Sequence, residues 1–158
     1  MRVIQMPISR LIDVSLAALV VLALVFLVLI KGDPLYLGVW YYLAVPVIIV
    51  GTCAAFRVAP LFLLGSSFAI AITFLSIMSV NWRAARPEGL LGLGHLFSLP
   101  GAFVGVLIAM AIVKRKATIT VFAAFLFGFV GLLAGYFINQ LVVCNTVMWC
   151  GPLSLPIK

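Results

Sequence analysis

Five apolar runs, each about as long as a lipid bilayer is thick, constrain the fold of this chain more than any other feature. A helix needs about 20 apolar residues to cross the hydrocarbon core of a bilayer. The runs cover residues 11–30, 35–56, 61–82, 96–113 and 119–138. Because backbone groups cannot stay unpaired in lipid, each run is expected to form a helix. A membrane barrel would instead show alternating segments of about ten residues, and these runs are continuously apolar.

The composition agrees with lipid as the main solvent of the chain. Of its 158 residues, 66% are hydrophobic and 8% are charged, whereas a soluble domain carries about 25% charged residues. So few charges cannot cover a water-exposed surface. The predicted fold class is therefore all-α, a polytopic integral membrane protein with residues 1–158 in a single membrane domain. We expect it in a bacterial-type inner (plasma) membrane.

The positions of the basic residues predict an orientation. The formal net charge is +7, and the Lys and Arg residues lie at the ends of the apolar runs. Nucleic-acid binding would need a basic patch with aromatic residues on one surface, so no nucleic-acid partner is expected. Residues 114–116 (Lys-Arg-Lys) occupy the shortest loop, where the positive-inside rule is most reliable. This predicts a cytoplasmic N-terminus and an outer tail over residues 139–158.

Residues 83–95 are the least regular segment of the predicted bundle. Gly89, Gly92 and Gly94 disfavour a stable helix, while the residues between them are too apolar for an ordinary solvated loop. Two placements are expected for this linker. It either lies in the headgroup region or enters the bilayer as a re-entrant segment packed against protein.

Two Gly-x-x-x-Gly pairs flank the Lys-Arg-Lys segment. They are Gly101/Gly105 and Gly131/Gly135, and Gly128 lies about one turn before the second pair. Such pairs allow two helix backbones to approach closely in lipid. The simplest interpretation is a hairpin in which the glycines of the last helix face those of its neighbour. If that face were turned outward, it would form the interface for another protein.

A stripe of small and polar residues runs along the third predicted helix. Ser66, Ala69, Thr73 and Ser76 are spaced by three, four and three residues, which places them on one helix face. Hydroxyl groups in lipid bond across helices or back to their own backbone, so helix packing explains the stripe. The alternative is a polar path for a solute lined by Ser66, Thr73 and Ser76.

Two ionisable side chains near the spans are candidates for chemistry. Asp13 lies about one helical turn after Arg10 and is expected to pair with it at the start of the first helix. A proton-relay role is the alternative. His95 has no acidic or cysteine neighbour except Glu88 and is expected at the interface with water. A metal site needs three or four ligands, so neither a metal nor a cofactor is predicted.

Cys144 and Cys150 lie close together in the predicted outer tail. Because disulfides persist in oxidising compartments, the pair is expected to form a structural disulfide. The alternative is a redox-active pair, although thiol oxidoreductases typically use a Cys-x-x-Cys spacing and a second cysteine pair.

With three acidic residues and one histidine, the chain has almost no groups for acid–base catalysis, so an enzyme is not expected. The expected function is protein–protein binding in the bilayer, as an accessory subunit or as an immunity-type antagonist of a membrane-active toxin. Its expected partners are the lipid bilayer and either another protein or further copies of itself. Two alternatives stay open: an oligomeric small-solute transporter or channel protomer, and a membrane thiol–disulfide redox protein.

Overall fold

The computed structural model describes residues 6–84, 89–116 and 118–147, with side chains described from Arg10 onward. The described residues form five α-helices and no strand, which confirms the predicted all-α fold. The helices are α1 (Met6–Lys31), α2 (Val39–Ala55), α3 (Phe62–Arg83), α4 (Leu90–Arg115) and α5 (Val121–Thr146). Of these, α1, α3, α4 and α5 are long and apolar enough to cross a membrane. Helix α2 has 17 residues and contains Pro46.

Helix α3 lies at the centre of the bundle. Among the described residues it is the one helix that contacts the other four, with α1 and α2 on one flank and the α4–α5 hairpin on the other. Contacts between helix ends bring the start of α1, the end of α2 and the start of α3 to the same end as residues 114–116. We call this the Lys-Arg-Lys end, and the opposite end the His95 end.

Four helix boundaries differ from the prediction by four residues or more: α1 begins at Met6, α2 at Val39 and α4 at Leu90, and α5 ends at Thr146. Helix α4 begins at Leu90, so the expectation that the glycines disfavour a stable helix is wrong for residues 90–95. The interfacial or re-entrant placement of residues 83–95 stays a prediction. The helix includes Gly92 because the loop after α1 packs on it: a Cβ there would lie 2.7 Å from the Leu35 carbonyl oxygen. Close packing outweighs the low helix propensity of glycine. Residues 85–88 lie outside the described part of the chain.

Helix α5 continues to Thr146, so residues 139–146 belong to the bundle and not to an outer tail. The extra turns are held to α4 by side-chain amides. Asn139 Nδ2 donates to the Phe97 carbonyl at 2.6 Å, and the Ser98 hydroxyl donates to Gln140 Oε1. Amides on a lipid-embedded helix bond across to a neighbour more readily than they end the helix. Residues 148–158 are outside the described residues.

Helices α4 and α5 are packed backbone against backbone. A Cβ on Gly105 would lie 2.2 Å from the Gly131 carbonyl oxygen, and one on Gly135 would lie 2.1 Å from the Gly101 carbonyl oxygen. Gly128 does not share this contact, which corrects the expectation that all the glycines of α5 face α4. A Cβ on Gly128 would lie 2.5 Å from the carbonyl oxygen of Phe62. A Cβ on Gly128 would also lie 2.9 Å from the Ser66 hydroxyl oxygen, so this glycine packs α5 against the start of α3.

The α1 and α2 flank is attached at the Lys-Arg-Lys end by polar bonds to backbone. The Asp13 carboxylate accepts the Leu64 N–H at 2.9 Å and the Leu63 N–H at 3.3 Å. The Arg10 guanidinium donates to the Ala54 carbonyl oxygen. The expected Arg10–Asp13 pair is therefore wrong, since each side chain binds the backbone of another helix. The first N–H groups of α3 have no partner within the helix, and its positive end favours a carboxylate.

At the His95 end, the loop between α1 and α2 is organised around Asp33. Its carboxylate accepts the Leu35 N–H at 3.0 Å, the Gly38 N–H at 2.6 Å and the Tyr42 hydroxyl. Asn81 on α3 donates its side-chain amide to the Pro34 carbonyl oxygen. Both ends of α1 are therefore tied to neighbouring helices by hydrogen bonds.

Candidate functional site: an open groove and a buried polar cluster

An apolar groove runs along the outer face of the α4–α5 hairpin. Its volume is ≈ 850 Å³. The floor is formed by small residues on both helices, including the four glycines that join them, together with Ala109 and Ala134. The walls are larger aliphatic side chains that are exposed: Val104, Ile108, Ile112, Leu126, Val130 and Ile138. No described helix of this chain packs into the groove, which is open on its outer side.

The groove follows from the way in which the hairpin is packed. Glycines bring the two backbones together, and the large side chains beside them diverge on either side of the contact. One side of α5 packs against α3, where a Cβ on Gly65 would lie 2.2 Å from the Phe125 carbonyl oxygen. The other side has the same kind of small-residue floor but no helix of the described chain against it. The hairpin thus presents a second small-residue surface that no helix of the described chain covers.

The groove is nearly as long as the membrane core is thick. Its lining on α5 extends from Ala123 to Val142, which is about 28 Å at about 1.5 Å per residue. The hydrocarbon core of a bilayer is about 30 Å thick. Among the lining residues, the one polar side chain is Asn139, whose amide donates to Phe97. The groove therefore has an almost wholly apolar surface along most of the length of α5.

Positive charge lies at one end of the groove. Lys116 Nζ is 5.1 Å from the ring centre of Phe127, a residue that lines the groove. Lys114 Nζ is 5.2 Å from the ring centre of Phe56, which follows the last residue of α2. The two lysines thus lie on different aromatic rings, one in the groove and one at the neighbouring helix. Arg115, between them, is exposed.

A buried polar cluster lies at the His95 end, between α2, α3 and α4. The His95 side chain is fully buried, with Nδ1 2.6 Å from the Tyr41 hydroxyl oxygen and Nε2 3.2 Å from Thr73 Oγ1. The Thr73 hydroxyl donates its proton to the Ile70 carbonyl at 2.8 Å. Thr73 Oγ1 therefore accepts from His95 Nε2–H, and Nδ1 accepts from Tyr41, which describes a neutral imidazole.

His95 is thus a core residue, and the expectation of an interfacial histidine is wrong. Its ring lies 4.4 Å from the ring of Phe74 and 5.4 Å from that of Tyr136, measured between centres. The Tyr136 hydroxyl is buried and has no hydrogen-bond partner. The cluster links three helices through hydrogen bonds that are shielded from lipid. Nothing in the sequence near His95 predicted these partners, because they lie on other helices.

The stripe on α3 does not form one continuous path. Ser66 and Thr73 are buried, whereas Ser76 is exposed. Each hydroxyl donates to a carbonyl of its own helix, namely those of Phe62, Ile70 and Thr73 in turn. Side-chain to backbone bonds of this kind satisfy a hydroxyl in apolar surroundings. None of the three residues lines the α4–α5 groove.

Cys144 is buried in the last turns of α5, where Gln140 Nε2 lies 3.4 Å from its sulfur. Its predicted partner, Cys150, lies outside the described residues, so the disulfide stays a prediction. Cys53 on α2 is a free and buried thiol. In the part of the chain that the structure describes, no group of three or more His, Cys, Asp and Glu residues could hold a metal ion.

The chain matches no protein-family model, no curated protein and no solved structure. The case for a function therefore rests on the groove and on the residues around it. The Gly-x-x-x-Gly pairs were the sequence signal that pointed to this part of the molecule.

Proposed function

We propose that this protein is non-catalytic and acts by binding a transmembrane helix of another protein in the α4–α5 groove. An accessory subunit and an immunity-type antagonist of a membrane-active toxin both work in this way. The observation that carries the proposal is an open apolar groove with a glycine floor, which would face lipid if the α4–α5 hairpin spans the membrane. Because lipid tails are as apolar as leucine, helices associate in membranes through close packing, and small residues permit it.

The length of the groove favours a helix over a lipid chain as its occupant. One acyl chain covers one leaflet, which is half of a core about 30 Å thick. The groove extends from Ala123 to Val142 on α5, which is about 28 Å at about 1.5 Å per residue and is longer than one leaflet. The opposite side of the hairpin already binds a long apolar helix through small residues, because α3 packs on α5 through Gly65 and Gly128.

We also infer that the Lys-Arg-Lys end faces the cytoplasm of a bacterial-type inner membrane, with the C-terminal residues outside. Four exposed cations lie at this end, Arg57, Lys114, Arg115 and Lys116, and short cytoplasmic loops carry an excess of Lys and Arg. A membrane-impermeant thiol reagent should label Lys31→Cys in intact cells and should leave Lys116→Cys unlabelled. The opposite pattern would reverse the orientation.

Photo-crosslinking from the walls of the groove tests the helix-binding function. A photoreactive amino acid placed at Val104 or Val130 should form an adduct with one partner polypeptide in the membranes where the protein is made. The same probe at Leu22 is the matched control, because Leu22 is similarly exposed on α1 but distant from the groove. Val130→Trp, which fills the groove, should abolish the adduct formed from Val104.

Equal adducts from Val104 and Leu22 would contradict the proposal, because they would report contact with bulk membrane proteins. An adduct with a second copy of this chain would instead support a homo-oligomer. The glycines themselves are unsuitable for this test. Their substitution separates α4 from α5 and would disturb the fold before it reported on a partner.

A further inference from the structure

We propose that the helix bound in the groove carries an acidic flank, which meets Lys116 at the Lys-Arg-Lys end. This inference rests on the proposed helix-binding function and specifies the chemistry of the partner.

The first observation is the position of Lys116. Its Nζ lies 5.1 Å from the ring centre of Phe127, and Phe127 lines the groove together with Ile112 and Ala123. An ammonium group over an aromatic ring keeps its attraction for a further anion, because the ring supplies no negative formal charge. A helix that leaves the groove at this end therefore passes beside a cation.

The second observation is that this positive end has no acid of its own among the described residues. The described chain contains two acids, Asp13 and Asp33. Asp13 lies near this end but is 2% exposed and is bound to the backbone of α3. Asp33 lies at the opposite end, bonded to Leu35, Gly38 and Tyr42.

The third observation is that the two lysines lie at different places, which distinguishes binding of an acidic helix from a general attraction to anionic lipid. Lys114 and Lys116 are both exposed and carry the same charge, but Lys114 lies over Phe56 at the end of α2. A helix in the groove meets Lys116 and not Lys114. Anionic headgroups around the protein would meet both lysines equally. The two positions therefore form a matched pair within one loop.

The test uses two synthetic transmembrane peptides and the full-length protein in phosphatidylcholine nanodiscs. Both peptides have a Leu/Ala-rich core with a Gly-x-x-x-Gly face, and they differ in one flank, which is Glu-Glu in the first and Gln-Gln in the second. Each is made with the flank at either terminus, since the direction of the partner helix is not fixed by the groove. Binding is measured by energy transfer between labelled peptide and labelled protein.

The Glu-Glu peptide should bind about fivefold more tightly than the Gln-Gln peptide, as expected for a close charge pair at a membrane surface. Lys116→Gln should abolish this preference, and Lys114→Gln should preserve it. Added salt should reduce the preference of the unmodified protein, because exposed charge pairs are screened.

Three outcomes would overturn the inference. Equal binding of the two peptides would contradict the preference for an acidic flank, and the proposed helix-binding function would remain supported. Equal losses with Lys114→Gln and Lys116→Gln would show a general surface attraction, of the kind that anionic headgroups would also satisfy. Binding of neither peptide, with the flank at either terminus, would overturn both the inference and the helix-binding function.

Discussion

The two flanks of the bundle attach to the rest of the protein in different ways. Helices α4 and α5 meet through glycine backbones over several turns, so that even a methyl group would clash. Helix α1 is instead tied at its two ends, by Asp13 and Arg10 at one and by the Asp33 loop at the other. Between these ends, one face of α1 is buried through larger side chains such as Leu24 and Val28, and Leu22 on the other face is exposed.

This difference reflects the two forces that join helices in a membrane. Close packing gives many small dispersion contacts, each worth about 0.1–0.2 kcal/mol, so it depends on an uninterrupted fit. Hydrogen bonds are few and directional, and each depends on one side chain. The glycine hairpin should therefore be sensitive to added volume, and the α1 flank to the loss of single polar groups.

The largest effect should come from adding one methyl group to the hairpin. Gly135→Ala would place Cβ 2.1 Å from the Gly101 carbonyl oxygen, which is backbone and cannot rotate away. We expect the free energy of unfolding to fall by about 3 kcal/mol, measured by reversible denaturation in mixed micelles. Gly51→Ala is the control. A Cβ there meets nothing within 4 Å, so it should be neutral or slightly stabilising because alanine favours helix.

Equal effects of Gly135→Ala and Gly51→Ala on the free energy of unfolding would contradict the claim that the hairpin depends on close glycine packing. They would mean that α4 and α5 can separate without loss of stability.

A smaller but clear loss is expected from Asp13→Leu. The N–H groups of Leu63 and Leu64 would lose their acceptor in a buried position, which costs about 2 kcal/mol. Asp13→Asn keeps an acceptor oxygen and should lose less. Ser15→Leu, at an exposed position on the same helix, should change the free energy of unfolding by no more than about 0.5 kcal/mol. If the three variants were equally stable, the polar bonds would not hold α1 in place.

The smallest predicted effect compares two tyrosines beside His95. Tyr41→Phe removes the donor to His95 Nδ1 and should reduce the free energy of unfolding by about 1 kcal/mol. Tyr136→Phe removes a buried hydroxyl that has no partner, so it should be neutral or stabilising. The same denaturation measurement ranks the pair. A larger loss for Tyr136→Phe would show that its hydroxyl has a partner after all.

The apolar runs of the sequence were enough to predict five helices, because length and hydrophobicity fix what can cross a bilayer. They did not fix the helix ends. Gly92 is helical because the loop at Leu35 packs on it, and α5 extends past residue 138 because Asn139 binds α4. Both contacts join residues far apart in sequence, where local propensity carries no information.

The candidate site was predictable only in part. The glycine spacing pointed to close packing near residues 101–135, but it could not show which face of the hairpin α3 would cover. Gly128 illustrates the limit, since its contact with Phe62 depends on where α3 lies. His95 and Asp13 are similar cases, because their partners lie on other helices and leave no trace in nearby residues.

The bond between Asp13 and α3 has a consequence for the order of membrane insertion. Asp13 and Leu63 are 50 residues apart in the chain. Helix α1 is therefore synthesised well before the N–H groups of α3 that the Asp13 carboxylate accepts. Until α3 is synthesised, water and headgroups must solvate that carboxylate, because an unpaired charge in hydrocarbon is unfavourable. We therefore expect the first helix to stay near the membrane surface at that end until the third helix supplies the N–H groups that bind Asp13.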